Sequence, residues 1–249
     1  MSGPSDSGAR GRGASAPLPV GAASGRPSLR EPQFDAGLVG EPELVVVLAS
    51  KSPARLKTLR NAGVNPIVIV SEVDERALVA QTEAEHGPLT PAEQALLLAK
   101  AKSEKVAAEM GDAPAVIIGC DSVFEFQGKP YGRPPDTETA IQRIKAMSGN
   151  QGTLHTGHWV TTLSGEAGGI GSSIVHFGTI DDEEIEAYVA TGEPLNVAGS
   201  FTVDGLGGPF VESIEGDYHN VVGISLPLLR NLLAKLGINW RDVRHPMSV

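Results

Sequence analysis

Residues 44–70 read LVVVLASKSPARLKTLRNAGVNPIVIV, and their pattern sets the architecture. The run 44–49 is continuous and rich in valine, as suits a strand buried on both faces. Ser52 then supplies an N-cap and Pro53 a first-turn proline. Leu56, Leu59 and Ala62 recur at helical spacing, and Gly63 sits where a C-cap belongs, so 53–62 reads as a short helix. IVIV at 67–70 is a second strand. A crossover this short most naturally pairs the two strands in parallel, which makes 44–70 a strand–helix–strand unit.

Downstream, Thr90-Pro-Ala-Glu93 is a capping box opening the longest helix, which runs from Pro91 to Met110 before Gly111. AVIIG at 115–119 is another buried strand, delivering Cys120, Asp121 and Ser122 at its end. VFEFQGK at 123–129 alternates up to a glycine-containing turn. A helix is expected at 137–147, strands at 155–163 and 170–180, and a helix capped by Asp181 and Glu184. A glycine-rich loop at 204–208, strands at 209–214 and 219–224, and a closing helix at 226–236 complete the chain. Strand and helix alternate early and hairpins dominate later, so the fold class is α/β, with a mixed twisted sheet flanked by helices. One domain spans 43–240, with a C-terminal tail at 241–249. Residues 1–42, rich in Gly, Ser, Pro and Ala without an apolar period, read as a disordered tail rather than a transit peptide.

Of 249 residues, 41% are hydrophobic and 20% charged, an ordinary globular composition. The apolar runs fall far short of the roughly 20 residues a membrane span needs. Lys+Arg 20 against Asp+Glu 30 gives a net charge of −10, which argues against nucleic acid or an anionic membrane as partner. An anionic substrate therefore needs a local basic pocket. The single Cys120 forms no internal disulfide, and a reducing cytoplasm fits best. A homodimer is the default expectation for assembly.

The turn Ser50-Lys51-Ser52-Pro53-Ala54-Arg55 joins a buried strand to a helix N-terminus, where free N–H groups and the dipole favour phosphate. It lacks the spacing of a Walker loop, and, for the turn taken alone, Ser52 capping a helix beside solvated cations is the slightly better explanation. Asp74, Glu75 and Asp121 follow strands, where carboxylates can converge on a ligand crevice and suit Mg²⁺ or Mn²⁺ shared with substrate phosphates. Solvated turn acids are the alternative, weakest for Asp121. Lys102, Lys129 and Arg133 are further cations, Arg133 being presented rigidly by Gly132 and Pro134. His155 and His158 are three apart on a strand, face opposite ways and make a poor metal pair. Cys120 reads as a small buried hydrophobe rather than a nucleophile.

Taken in order, LASKSPARLKTLRNAGV at 48–64, SEVDE at 71–75, GCDSV at 119–123, GRP at 132–134 and GLG…EGDYHNVVGISLPLL at 205–229 resemble the Maf family. Its members are nucleoside triphosphate pyrophosphatases, first named as septum-formation inhibitors. The resemblance implies a two-lobed, inosine-triphosphatase-like fold around a nucleotide cleft. It also implies cleavage between the α- and β-phosphates of a nucleoside triphosphate with a divalent cation. Carried over by motif, Asp121 is the proton acceptor, Glu75 and Asp121 hold the metal, and Lys102 offsets phosphate charge. Ser50, Ser52, Arg55 and Arg133 are the implied phosphate contacts. Arg55, Ser122 and Asp204 are the implied specificity positions.

Three departures stand out: Arg133 replaces the usual lysine, Ala54 replaces one of two arginines, and Ser122 replaces threonine. At 204, where pyrimidine-triphosphate enzymes resembling this chain carry glutamine, an aspartate stands in GSFTVDGLGG. A carboxylate accepts only, so it suits the N1–H and N2–H₂ donors of a guanine edge or another donor-bearing base. A turn residue favoured for its backbone tolerance is the other reading. Two further functions stand beside the enzyme: a cell-division-arrest regulator, suggested by the family's historical name, and a nucleotide sensor without turnover. Retention of Asp121, Glu75 and Arg55 speaks against the sensor.

Overall fold

A computed structural model describes residues 44–244, so the tail expected at 1–42 and the last five residues lie outside the described part. Along the chain the elements are β1 (Val45–Leu48), α1 (Pro53–Asn61), β2 (Ile67–Val68), α2 (Glu75–His86), α3 (Pro91–Met110), β3 (Ala115–Phe126), β4 (Lys129–Tyr131) and α4 (Thr137–Met147). There follow β5 (Gln151–Thr162), β6 (Gly165–Phe177), α5 (Asp182–Ala190), β7 (Val211–Glu215), α6 (Tyr218–Val222), α7 (Leu226–Lys235) and α8 (Trp240–Val243). One seven-stranded mixed sheet runs β2-β1-β3-β5-β6-β7, with β4 also paired to β3. The β1–β2 and β1–β3 pairs are parallel and the others antiparallel.

The strand–helix–strand unit forms as its sequence dictates. Ser52 caps α1, its side chain accepting from the Arg55 N–H, and Pro53 occupies the first turn. The capping box of Thr90 and Glu93 opens the 20-residue α3. A two-residue turn, Gln127 and Gly128, both at positive φ, closes the β3–β4 hairpin.

Four expectations change. The strand at 67–70 shortens to two exposed residues on the sheet edge, and α2 follows where acids after a strand were expected. Asp74 is its N-cap, accepting from the Ala77 N–H at 3.0 Å, so Glu75 projects from a helix start. The Val-Val run at 219–224 is not a strand: Asp217 caps the short helix α6, and Gly223 ends it at φ 117°. AVIIG and VFEF are one strand, because β5 pairs with β3 without a break from 117 to 125, which puts Asp121 inside β3 rather than at its end. Near the end of the described residues, α8 carries a buried Val243.

The core is divided. One cluster gathers Phe124, Phe126, Ile144, Phe177, Ile185 and Phe201 around the far half of β3 with α4 and α5. A second gathers Leu48, Leu59, Ile118, Ile224, Leu229 and Leu232 around β1, α1 and α7. On the opposite face α3 lies against the sheet at two glycines. A Cβ on Gly119 would fall 2.2 Å from the Ala99 carbonyl oxygen, and one on Gly157 2.2 Å from that of Ala95.

This close approach yields a test. Gly119→Ala forces backbone apart and should lower stability by about 3 kcal/mol or more. Gly132→Ala, with open space around the added carbon, should leave the urea midpoint near wild type. Equal midpoints for the two variants would rule out the tight helix–sheet contact.

Candidate active site

The site is built on a fork in the sheet. On one side β3 pairs with β5 throughout, but on the other β1 takes only 115–118 and β4 only 124–126. Among the described residues no strand covers 119–123 on that side. This is the segment Gly-Cys-Asp-Ser-Val, opened by the divergence of β1 and β4.

The alternation of β3 sends Asp121 and Ser122 to opposite faces. Asp121 shares the face of Gly119, against α3, and there it meets Lys102. Lys102 Nζ donates to Asp121 Oδ1 at 2.5 Å and stands 2.8 Å from Glu75 Oε1. The lysine and the aspartate are largely buried, with 11% and 14% of their side chains exposed, whereas Glu75 is half exposed. Burial pushes the Asp121 carboxyl above its ordinary range, and the Lys102 and Arg55 charges pull against that shift. An aspartate so placed is more basic than a solvated one.

Ser122 faces Arg55. The buried guanidinium donates through Nε to the Gly223 carbonyl at 2.7 Å and through Nη1 to Ser50 Oγ at 3.0 Å and the Cys120 carbonyl at 2.9 Å. Nη2 donates to Ser122 Oγ at 3.0 Å, so four of five N–H groups are committed within the protein. From Ser122 the bonds have a fixed direction. Thr156 Oγ1 donates to the Asn220 carbonyl at 3.0 Å, so it must accept from Ser122 at 2.9 Å. Asn220 in turn donates to the Leu154 carbonyl and to Ser173, docking α6 on β5 and β6. Ser50 Oγ also accepts from the Ser52 N–H, leaving the hydrogens of both serine hydroxyls for a further acceptor.

The remaining expected residues lie apart from these contacts. Arg133 is exposed after β4, beside a Gly132 carbonyl held by Arg143 at 2.8 Å. Asp204 is exposed on the glycine-rich loop, and Lys129 is a surface residue of β4. Cys120 is buried, and burial raises its thiol to about 11, an inert side chain as expected. The two histidines do diverge: His155 bonds Ser172 and Glu125, whereas His158 is fully buried.

Among the described residues no group of three His, Cys, Asp or Glu side chains is gathered as a metal cage. Glu75 and Asp121 nonetheless converge on one ammonium, each with its second oxygen outside that contact. Two carboxylates with substrate oxygens and water are a donor set suited to Mg²⁺ or Mn²⁺, which need no all-protein cage.

Sequence reasoning considered His158 only as half of a poor metal pair and overlooked Thr156 and Asn220, because their roles depend on partners about 65 residues away. It also passed over Glu193. The only local signal was its place after Gly192 and before Pro194, eleven residues ahead of the glycine-rich loop.

Comparison with known proteins finds the Maf-like protein family matching residues 45–236. A protein of Streptomyces coelicolor named nucleoside triphosphate pyrophosphatase is 52% identical over 208 residues, covering 83% of this chain and 97% of its own. A Salinispora tropica protein of the same name is 50% identical over 204 residues, covering 80% and 87%. One from Nocardia farcinica is 46% identical over 209, covering 81% and 97%.

Arg55→Lys preserves charge but concentrates three donors on one nitrogen, which cannot span Gly223, Cys120, Ser50 and Ser122. It should cost about 2–4 kcal/mol in urea unfolding; an unchanged midpoint would mean the fork does not depend on the guanidinium. His158 offers a pH test. Its Nε2 accepts from the Ser225 N–H at 2.7 Å and its Nδ1 lies 3.0 Å from the Thr156 carbonyl, which defines a neutral ring. Burial, aided by the Arg55 charge, lowers its pKa from 6.5 to about 4. Between those values the unfolded chain takes up a proton that the folded protein refuses. Stability should therefore be level above pH 6.5 and decline by about 3 kcal/mol on the way to pH 4. His158→Gln should remove that part of the slope.

Proposed function

The chain belongs to the Maf-like protein family, and we propose that it hydrolyses nucleoside triphosphates to the monophosphate and pyrophosphate. The observation that carries this reading is Lys102 held between Glu75 and Asp121 in the opening between β1 and β4. Asp121 is the general base. Anchored by Lys102, it takes the proton of a water that attacks the α-phosphorus. The bond from that phosphorus to the bridging oxygen breaks, and pyrophosphate leaves with the electron pair.

Ser50 and Ser52 hydroxyls, the remaining N–H of Arg55 and the exposed Arg133 contact phosphate oxygens. Lys102 offsets the charge that gathers on those oxygens as the bond breaks. A divalent cation held by Glu75 and Asp121, when bound, neutralises phosphoryl charge and leaving group. Without such focused positive charge, a protein of net charge −10 repels a polyanion. Asp204 accepts from the N1–H and N2–H₂ groups of a guanine-like edge.

The activity acts on free nucleotides, removing non-standard triphosphates before they enter nucleic acid. Among the described residues no helix is long and apolar enough to cross a membrane. The lone buried thiol fits a reducing cytoplasm.

The test is pyrophosphate release from canonical and modified triphosphates with Mg²⁺ or Mn²⁺, an EDTA control, and Asp121→Asn beside wild type. Release should require metal and fall by at least about 10³-fold in Asp121→Asn, with the fold intact by circular dichroism. Near-normal turnover in the variant removes Asp121 as base. Nucleotide binding without any release points instead to a sensor or a division-arrest regulator.

A further inference from the structure

Glu193 opens the single turn Glu193–Asn196 that follows α5, and one loop is wrapped around its carboxylate. Oε1 accepts from Tyr188 Oη at 2.9 Å, Thr202 Oγ1 at 2.5 Å and the Gly207 N–H at 3.1 Å. Oε2 accepts from the Leu206 N–H at 3.1 Å. Tyr188 Oη itself accepts from the Thr202 N–H at 3.2 Å, so the loop is tied at both ends to one pair of side chains. The wrap is too close for side chains. A Cβ on Gly205 would lie 2.6 Å from Glu193 Oε2, and one on Gly207 2.4 Å from Tyr188 Oη.

Four donors converge on this group, two hydroxyls and two backbone amides. Only an ionised carboxylate, acceptor at both oxygens, satisfies all of them. Glutamine presents an NH₂ to one of those donors. Burial works to raise the Glu193 pKa, but the bonds from Thr202, Leu206, Tyr188 and Gly207 outweigh it and hold the carboxyl below its ordinary range. Glu193 is thus charged at neutral pH, with no cation among its bonded partners. Its role is to gather the loop.

Between the tied residues, Thr202 on one side and Leu206 and Gly207 on the other, stands Asp204, exposed at the tip. We propose that Glu193 is the positioning residue for base recognition: it fixes the 202–207 loop so that the Asp204 carboxylate is presented to the nucleobase. This rests on the reading of Asp204 as the base contact. A loop left to wander presents that carboxylate only part of the time, and the affinity for the preferred base falls by the fraction of time the arrangement is absent. The chemistry at Asp121 is on a different element and keeps its own geometry.

The experiment measures KM and kcat for a purine and a pyrimidine triphosphate panel with wild type, Glu193→Gln, Tyr188→Phe and Asp204→Ala. Glu193→Gln should raise KM for the preferred triphosphate roughly tenfold and level the ranking of bases, while kcat stays within about twofold. Tyr188→Phe, which removes one donor and leaves the carboxylate, should move the same quantities in the same direction by less. Should Glu193→Gln fail to fold, Tyr188→Phe decides alone. An unchanged ranking in Glu193→Gln or, failing that, Tyr188→Phe, beside an altered one in Asp204→Ala, overturns the positioning role. So does a fall in kcat equal to the loss in kcat/KM. An unchanged ranking in Asp204→Ala overturns the base contact itself, and the proposal with it.

Discussion

The Arg55 guanidinium is the interaction on which the fork depends. Where β1 and β4 part, no strand among the described residues lies beside β3, and the Cys120 carbonyl there is buried. An unpaired buried carbonyl is costly, and Arg55 supplies its donor. The same planar group reaches the Ser50 hydroxyl, Ser122 and the Gly223 carbonyl, joining the β1–α1 turn, β3 and the α6–α7 turn. A buried charge is tolerable only when its donors are met, and the rigid fork of a guanidinium meets four acceptors at once. A strand in that place would pair with 119–123; here a side chain supplies the hydrogen bond to Cys120 instead.

The opposite face is organised by contact rather than by charge. Gly119 and Gly157 remove the bulk that would hold α3 away, so the helix backbone rests on the sheet and Lys102 reaches Asp121 two residues along β3. Successive residues of one strand therefore serve different ends: Asp121 faces the lysine, and Ser122 faces the arginine. The pleat keeps them apart.

Two carboxylates share one ammonium in this cluster, a donor set that suits the divalent cation proposed to arrive with the substrate better than a permanent cage. The Glu193 carboxylate has the contrary character, since its hydrogen-bonding capacity is met by the loop around it. Glu75 and Asp121 share a single ammonium while Glu193 is surrounded by four donors, and the difference is whether donors from the same chain enclose the acid.

Local patterns determined a good deal by themselves. The strand–helix–strand start, the caps Ser52, Thr90 and Asp181, the α3 span and the hairpin at Gly128 all follow from residues within a few positions of one another. The ordered motifs single out Asp121, Lys102 and Arg55, of which the fold joins Lys102 to Asp121 and ties Arg55 to Ser50, Cys120, Ser122 and Gly223. The errors fall where long-range pairing overrides local preference. A break was read after Ile118-Gly119, but β5 carries β3 straight through it, and a valine pair in α6 looked like strand until Asp217 capped a helix. The direction of the Ser122–Thr156–Asn220 chain, the neutral ring of His158 and the gathering role of Glu193 arise only from tertiary structure. Each depends on donors and acceptors that the fold, not the neighbouring sequence, brings within hydrogen-bond reach.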